Sequence, residues 1–269
     1  MAVLYWLKDW LDAGLSISLA VADLRSITHK GMSPEVSLAA PATRREKIAA
    51  HPTEYFSQRL HKFLIHHDET AAAAEFESAA DSYSLSDLFE SVLVPVLVKI
   101  GEDWFHNRIN IATEHFASAF IRTRLMTLFQ SLPTKQSLSH ILIGSAPEEL
   151  HEIGPLMIAV LLREAGYKVE YLGPDLPLQD LVLYAREEKP KMIILSATVR
   201  ESTIELAGFE HQLSSIRPKP IFGFGGPAYL RHPEIIAQTE GVYLGETIAQ
   251  SVKIVQDVLA GKKRMSLAG

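Results

Sequence analysis

HILIGSAPEELHEIGPLMIAVLLREAGYKVEYLG, residues 140–173, decides the fold. HILIGSA is a short apolar run of strand length. A helical pattern, IGPLMIAVLLREAG, follows and stops at a glycine. KVEYLG is a second strand. Strand, helix and strand within so few residues make a βα unit, and parallel pairing needs that kind of crossover. The rhythm continues through KMIILSAT (191–198), PIFGFGG (220–226), VYLG (242–245) and a closing helix in ETIAQSVKIVQDVLAG (246–261), with a helical segment expected between successive strands. The reading is an open, Rossmann-like (flavodoxin-like) parallel sheet over 138–263 with helices on both faces. Such sheets bind ligands beyond the carboxyl ends of their strands.

Upstream the texture changes. Residues 54–133 read as all-helical, a four-helix bundle. Phe56, Leu60, Phe63 and Leu64 mark an apolar face, AAAAEFESAAD is a good helix former, and Ser84 or Ser86 caps a helix running through LFESVLVPVLVKIGEDW. Pro95 should kink that helix. A fourth helix is expected from about Ile111 to Phe129. Residues 31–53 mix Pro, Ser, Ala and charge without period and read as a linker. In residues 1–30, Leu4, Leu7, Leu11, Leu15, Ile17, Val21 and Leu24 make an amphipathic pattern interrupted at Gly14.

Composition narrows the function classes. The chain has 269 residues, 47% hydrophobic and 22% charged, which excludes a disordered chain. It has no cysteine, so disulfides, thiolate metal sites and Cys nucleophiles are out. There is no apolar run long enough to span a bilayer and no secretory-signal pattern, so a cytoplasmic address is expected. A net charge of -6 argues against a surface dominated by phosphate contacts. Neither a nucleophile-and-base set nor a phosphate loop is found, so the chain is expected to be a binding protein and not an enzyme.

The chemistry concentrates at strand ends. His151 sits in the loop after the first strand, with Glu149 two residues before it and Gly154 three after. An imidazole held by a carboxylate on one nitrogen can ligate a transition metal with the other. Ser196 ends the third strand and Gly225-Gly226 the fourth, where glycine lets the backbone approach a bulky group. Each feature alone is common at strand ends.

Together they resemble the cobalamin-binding fold, whose pattern is DxHxxG, SxL and GG. Here Glu149-Leu150-His151-Glu152-Ile153-Gly154 is followed after 41 residues by Ser196-Ala197-Thr198 and after 26 more by Gly225-Gly226. Two letters depart: Glu149 stands for Asp and Thr198 for Leu. The resemblance implies that His151 ligates cobalt from below in place of dimethylbenzimidazole. It implies also that the nucleotide tail lies beside Ser196, Thr198 and the glycines. In the helical zone, Trp104, nine residues, then Glu114-His115 resembles the CarH-like adenosylcobalamin photoreceptors of the MerR family. That resemblance implies that Trp104 caps the adenosyl group, Glu114 accepts from the ribose hydroxyls and His115 lies above the cobalt–carbon bond. One place departs: those photoreceptors have a His directly after the Trp, and here it is Phe105, with His106 next.

YWLKDWLDAGLSISLAVADL (5–24) resembles the latter part of a MerR-type DNA-binding domain, without its helix-turn-helix or wing. Residues 1–30 carry three basic and three acidic residues. They read as a remnant for packing or dimerisation, and direct DNA binding is not expected. The stand-alone photocobilins are similar and hold a bilin beside cobalamin, so biliverdin is a further cofactor the resemblance allows, with no contact residue assigned. The expectation is an adenosylcobalamin-dependent light sensor that works as a homo-oligomer or through a protein partner. A corrinoid methyl carrier of a methyltransferase system and a cobalamin-responsive transcriptional repressor are the alternatives.

Overall fold

The computed structural model describes residues 51–133 and 138–262. The readings made for residues 1–30, and for the linker as far as residue 50, lie outside the described residues.

The helical part comprises α1 (Thr53–Ile65), α2 (Glu69–Ser82), α3 (Leu85–Leu88), α4 (Val94–Phe105) and α5 (Ile111–Ser131). α3 and α4 are one continuous rod, joined by a π-helical turn at Phe89–Leu93. The expected interruption at Pro95 takes this form. Proline has no N–H to donate, and the wide turn, in which Val94 N–H reaches back to the Phe89 carbonyl, accommodates the missing bond without ending the helix. Ser84 caps α3 by accepting the Asp87 N–H, and Asn110 caps α5 by accepting the Thr113 N–H. Phe56, Leu60, Leu64, Phe89, Leu93, Ile121 and Leu125 fill the bundle interior.

The sheet has five parallel strands: β1 (His140–Ser145), β2 (Lys168–Gly173), β3 (Met192–Ser196), β4 (Ile221–Gly225) and β5 (Val242–Tyr243), in the order β2-β1-β3-β4-β5. The order reverses between β1 and β3, which is where ligands settle in this architecture. The register there sets Ser145 beside Ser196 and Ser196 beside Gly225. One row across three central strands therefore ends in small residues.

α6 (Ile153–Glu164), α7 (Leu178–Glu188) and α10 (Ile248–Leu259) cover the sheet as full helices. The segments after β3 and β4 do not. They are short turns of 3-10 helix with α8 (Phe209–Leu213) and α9 (Pro227–Arg231). The bundle packs α5 on α6 and so shares one apolar core with one face of the sheet. Two polar links cross the same boundary: Arg122 pairs with Glu152 at 3.0 Å, and the Glu90 carboxylate accepts the Ala249 N–H at 2.7 Å. Among the described residues, no helix is long and apolar enough to cross a membrane.

Candidate functional site: an imidazole beside an apolar cavity

The loop after β1 is built from the backbone outward. Glu148 and Asp175 both take positive φ, and the Asp175 carboxylate accepts the Glu148 N–H at 2.8 Å while its own N–H reaches the Glu149 carbonyl. This brace turns the Glu149 side chain inward. Its carboxylate is 1% exposed and fully engaged. One oxygen accepts the His151 N–H at 2.9 Å and faces the His151 ring Nδ1 at 2.5 Å. The other accepts the N–H groups of Thr198 at 2.5 Å and Val199 at 3.2 Å. Burial alone would push this carboxyl up. The bonds from the His151 ring, the His151 N–H and the Thr198 N–H outweigh it and hold Glu149 at about 2.

An ionised acceptor on Nδ1 fixes the ring and leaves Nε2 available for a metal. The His151 side chain is 66% exposed. Its proton affinity is raised, chiefly by the Glu149 bond and against burial; the Glu149 and Glu114 charges add to this and Arg231 opposes it.

Beside this loop lies a cavity of about 500 Å³, within the range of small-molecule sites. Gly154 and Ile158 of α6, Ser196 at the end of β3, and Gly225 and Gly226 after β4 line one side. Val94 and Val98 of α4 close it from the bundle, and Thr247 and Ser251 from the start of α10. Gly226 has φ +110°, and a Cβ there would lie 2.4 Å from the Ala197 carbonyl and 2.8 Å from Ser196 Oγ, so only glycine fits. At Gly154 a Cβ would meet nothing within 4 Å.

The sequence-derived residues divide into three groups. Gly154, Ser196, Gly225 and Gly226 line the cavity, and Glu149 and His151 form the braced pair near it. Thr198 is not among the lining residues; its N–H holds Glu149 and its carbonyl accepts from Arg231. Glu114 lies near enough for its charge to act on His151. It also pairs with His115 Nδ1 at 2.6 Å and accepts the Ser118 hydroxyl at 2.6 Å. Trp104 and His115 lie outside the cavity lining, with Trp104 46% exposed. On α4, Val98 and Phe105 are two turns apart and share the face that Val94 also presents. Phe105 is 75% exposed, and His106 Nδ1 donates to the Glu102 carbonyl of its own helix.

The α4–α5 junction is braced at a residue that no sequence pattern marks. Asp103 is buried and takes Lys99, Arg108 and, from α1, His61, at 2.6–2.8 Å. Burial would raise it; the three donors hold it well below the usual carboxylate range. Its carbonyl also accepts the N–H of Arg108 and Ile109. The turn between Trp104 and Glu114 is pinned at this one residue. Signals for Asp103, Glu90 and Arg231 are absent from the sequence pattern, because each acts through partners distant along the chain.

Residues 139–251 match the B12 binding domain, and residues 57–128 match a second B12 binding domain model. The chain is a corrinoid-binding protein. It is 29% identical over 255 residues to the HTH-type transcriptional repressor CarH of Myxococcus xanthus, covering 91% of this chain and 80% of that one. It is 28% identical over 150 residues to trimethylamine corrinoid protein 1 of Methanosarcina mazei, covering 54% of this chain and 69% of that one. Its fold matches the monomethylamine corrinoid protein of Methanosarcina barkeri with a TM-score of 0.63 at 17% identity, over 77% of this chain and 99% of that one. In this corrinoid-binding chain the two matched segments are the bundle and the sheet, the two walls of the cavity.

Proposed function

We propose that the chain is an adenosylcobalamin-binding light sensor with a regulatory output. The observation that carries the reading is the His151–Glu149 pair, its Nε2 available beside an apolar cavity whose far wall belongs to the bundle. His151 would hold cobalt from below, Glu149 would keep the imidazole oriented and basic, and Ser196, Gly225 and Gly226 would accept the nucleotide tail. Val98 and Leu230, which line the cavity, are large apolar side chains left exposed, as are Phe105 and Trp104 on α4 and Leu150 next to His151 in the chain. A flat apolar ligand seated in the cavity would cover Val98 and Leu230. Bound adenosylcobalamin supplies a light-sensitive cobalt–carbon bond.

The chain's part is to shield and then to respond. Trp104 would exclude water and oxygen from the upper face. Glu114 would accept from a ribose diol through charge-assisted hydrogen bonds. The boundary between bundle and sheet is an apolar seam crossed by two polar links at partly exposed side chains, Arg122–Glu152 and Glu90 with the Ala249 N–H. Loss of the upper group would let the bundle shift, and the changed surface would alter self-association or a protein partner's binding.

A methyl carrier would use the same lower pair but keep its upper face open to partner enzymes. The exposure of Phe105 and Val98 is the observation on that side; Trp104 and Glu114, suited to a nucleoside, are on the other. The discriminating experiment is an absorbance spectrum of the full chain loaded with adenosylcobalamin, with biliverdin available, before and after green light. An irreversible change supports the sensor, and an added red-absorbing band adds the bilin. A spectrum indifferent to light, with methyl and adenosyl forms bound alike, transfers the reading to the carrier.

A further inference from the structure

Three charged residues line the cavity: Glu90, Glu246 and Arg231. Arg231 is the one cation among them. It ends α9, the five-residue helix that begins right after Gly226. Its Nη1 donates to the Thr198 carbonyl at 3.2 Å. Thr198 in turn holds Glu149, the residue that orients His151. Arg231 therefore lines the cavity while its charge is also felt at the imidazole. Among the described residues no carboxylate lies within ion-pairing distance of it, and a single long bond to a carbonyl leaves most of its five N–H donors unused.

A complete corrinoid carries one fixed negative charge on its lower side, a phosphodiester linking the ring's side arm to the sugar of its base. With the ring over His151 and the base in the apolar cavity, that phosphate must pass between them. The acidic groups at the cavity, Glu90 and Glu246, would repel it. Arginine's planar fork matches phosphate oxygens and stays charged at any working pH. We propose that Arg231 reads this phosphodiester and makes the chain prefer complete corrinoids over those lacking the nucleotide arm. The inference rests on the corrinoid seat proposed above.

Two ligands and three variants test it. The full chain and its R231Q, R231K and H151A variants are titrated with adenosylcobalamin and with adenosylcobinamide, which has neither phosphate nor base, following absorbance at low and moderate salt. The wild type should favour adenosylcobalamin. R231Q should lose roughly tenfold for adenosylcobalamin, the scale of one charged hydrogen bond, and nothing for adenosylcobinamide. R231K should recover part of the loss, and the salt dependence of cobalamin binding should flatten in R231Q. Equal losses for both ligands would mean that Arg231 only steadies the Thr198 loop, and the proposal fails; it fails also if R231Q binds cobalamin as the wild type does. H151A separates the two ideas. If it leaves spectrum and affinity unchanged, the seat itself is wrong and Arg231 falls with it. If it shifts the spectrum while R231Q is silent, only the phosphate reading is lost.

Discussion

One Glu–His pair stands in the loop after β1 and another on α5, and their contact distances are nearly the same. Glu149 meets His151 at 2.5 Å, and Glu114 meets His115 at 2.6 Å. Their surroundings differ. Glu149 is 1% exposed and receives three backbone N–H groups besides the ring. Glu114 lies on a helix surface with one serine hydroxyl for company, and His115 is 72% exposed. In the first pair the backbone fixes the carboxylate, and the carboxylate fixes the imidazole. In the second, two side chains find each other in water, an arrangement worth little. A short distance does not make a positioned ligand. Fixed donors on the acid do.

Breaking the braced pair should have the largest effect. E149A removes one acceptor from three N–H groups at once, each costing about 1–3 kcal/mol if left buried and unpaired. Water entering the gap will satisfy part of that, so a loss of about 3 kcal/mol is expected in urea unfolding. Corrinoid affinity should fall by roughly 10- to 100-fold, the usual cost of losing a ligand's orienting partner. A mutant that binds as tightly as the wild type would make the two pairs equivalent after all.

Next comes the junction that carries the upper-face residues. D103N keeps the shape and removes the carboxylate charge that Lys99, Arg108 and His61 face, and these three side chains are half-exposed or less. A loss of about 2 kcal/mol is expected in thermal or urea unfolding. It should loosen the turn before Glu114 and leave the Glu149–His151 pair intact, so the lower-ligand spectrum should be unchanged. A spectral shift like that of E149A would show the two sides to be coupled.

The architecture was legible in the sequence, for a physical reason. Buried parallel strands are short continuous apolar runs, and ILIGS, MIILS and IFGFG each declare themselves locally. The helices after β3 and β4 were less so. RESTIELAGFEHQL carries a helical composition, yet it folds as 3-10 turns at Glu201–Thr203 and Glu205–Gly208 before α8, with Gly208, a poor helix residue, at the break. At the site, the spacing led to Ser196 and Gly225, which line the cavity, and to Glu149 and His151, which form the braced pair near it. Spacing did not reveal that Thr198 acts through its N–H, because a backbone donor leaves no mark on residue identity. Arg231 was invisible for another reason: the strand order alone brings α9 against the loop after β3 and near the loop after β1.

Acid should weaken corrinoid binding at the braced pair by about tenfold per pH unit once the His151 ring is protonated. Glu149, held at about 2, contributes stability above the ordinary carboxylate range and loses it as pH falls through about 2. His151 is raised, so its ion-pair stability is present below the ordinary imidazole value and is lost as pH rises through the raised one. Cobalt must displace the proton on Nε2. Corrinoid affinity is therefore expected to begin falling at a pH above the ordinary imidazole range, and in E149Q the fall should start at lower pH. Titrations of both proteins across pH 5–9, a window of about two units around the imidazole range, check this; coincident curves would remove Glu149 from the electrostatics of the ligand.

The smallest effect belongs to the exposed pair. H115A removes an imidazole that is 72% exposed and bonded to one surface carboxylate. Exposed ion pairs contribute between nothing and about 1 kcal/mol, and surface substitutions usually stay within about 0.5 kcal/mol. Unfolding stability should therefore shift by less than about 0.5 kcal/mol. The dark spectrum of the cobalamin-loaded chain should also match the wild type, because no lower ligand has been touched. The rate at which the adenosyl group is lost in the dark is where H115A should register, if His115 lies over the cobalt–carbon bond. A dark spectrum altered as strongly as in E149A would mean that His115, loosely held as it is, ligates the metal, and that burial of the acid is not what selects the ligand here.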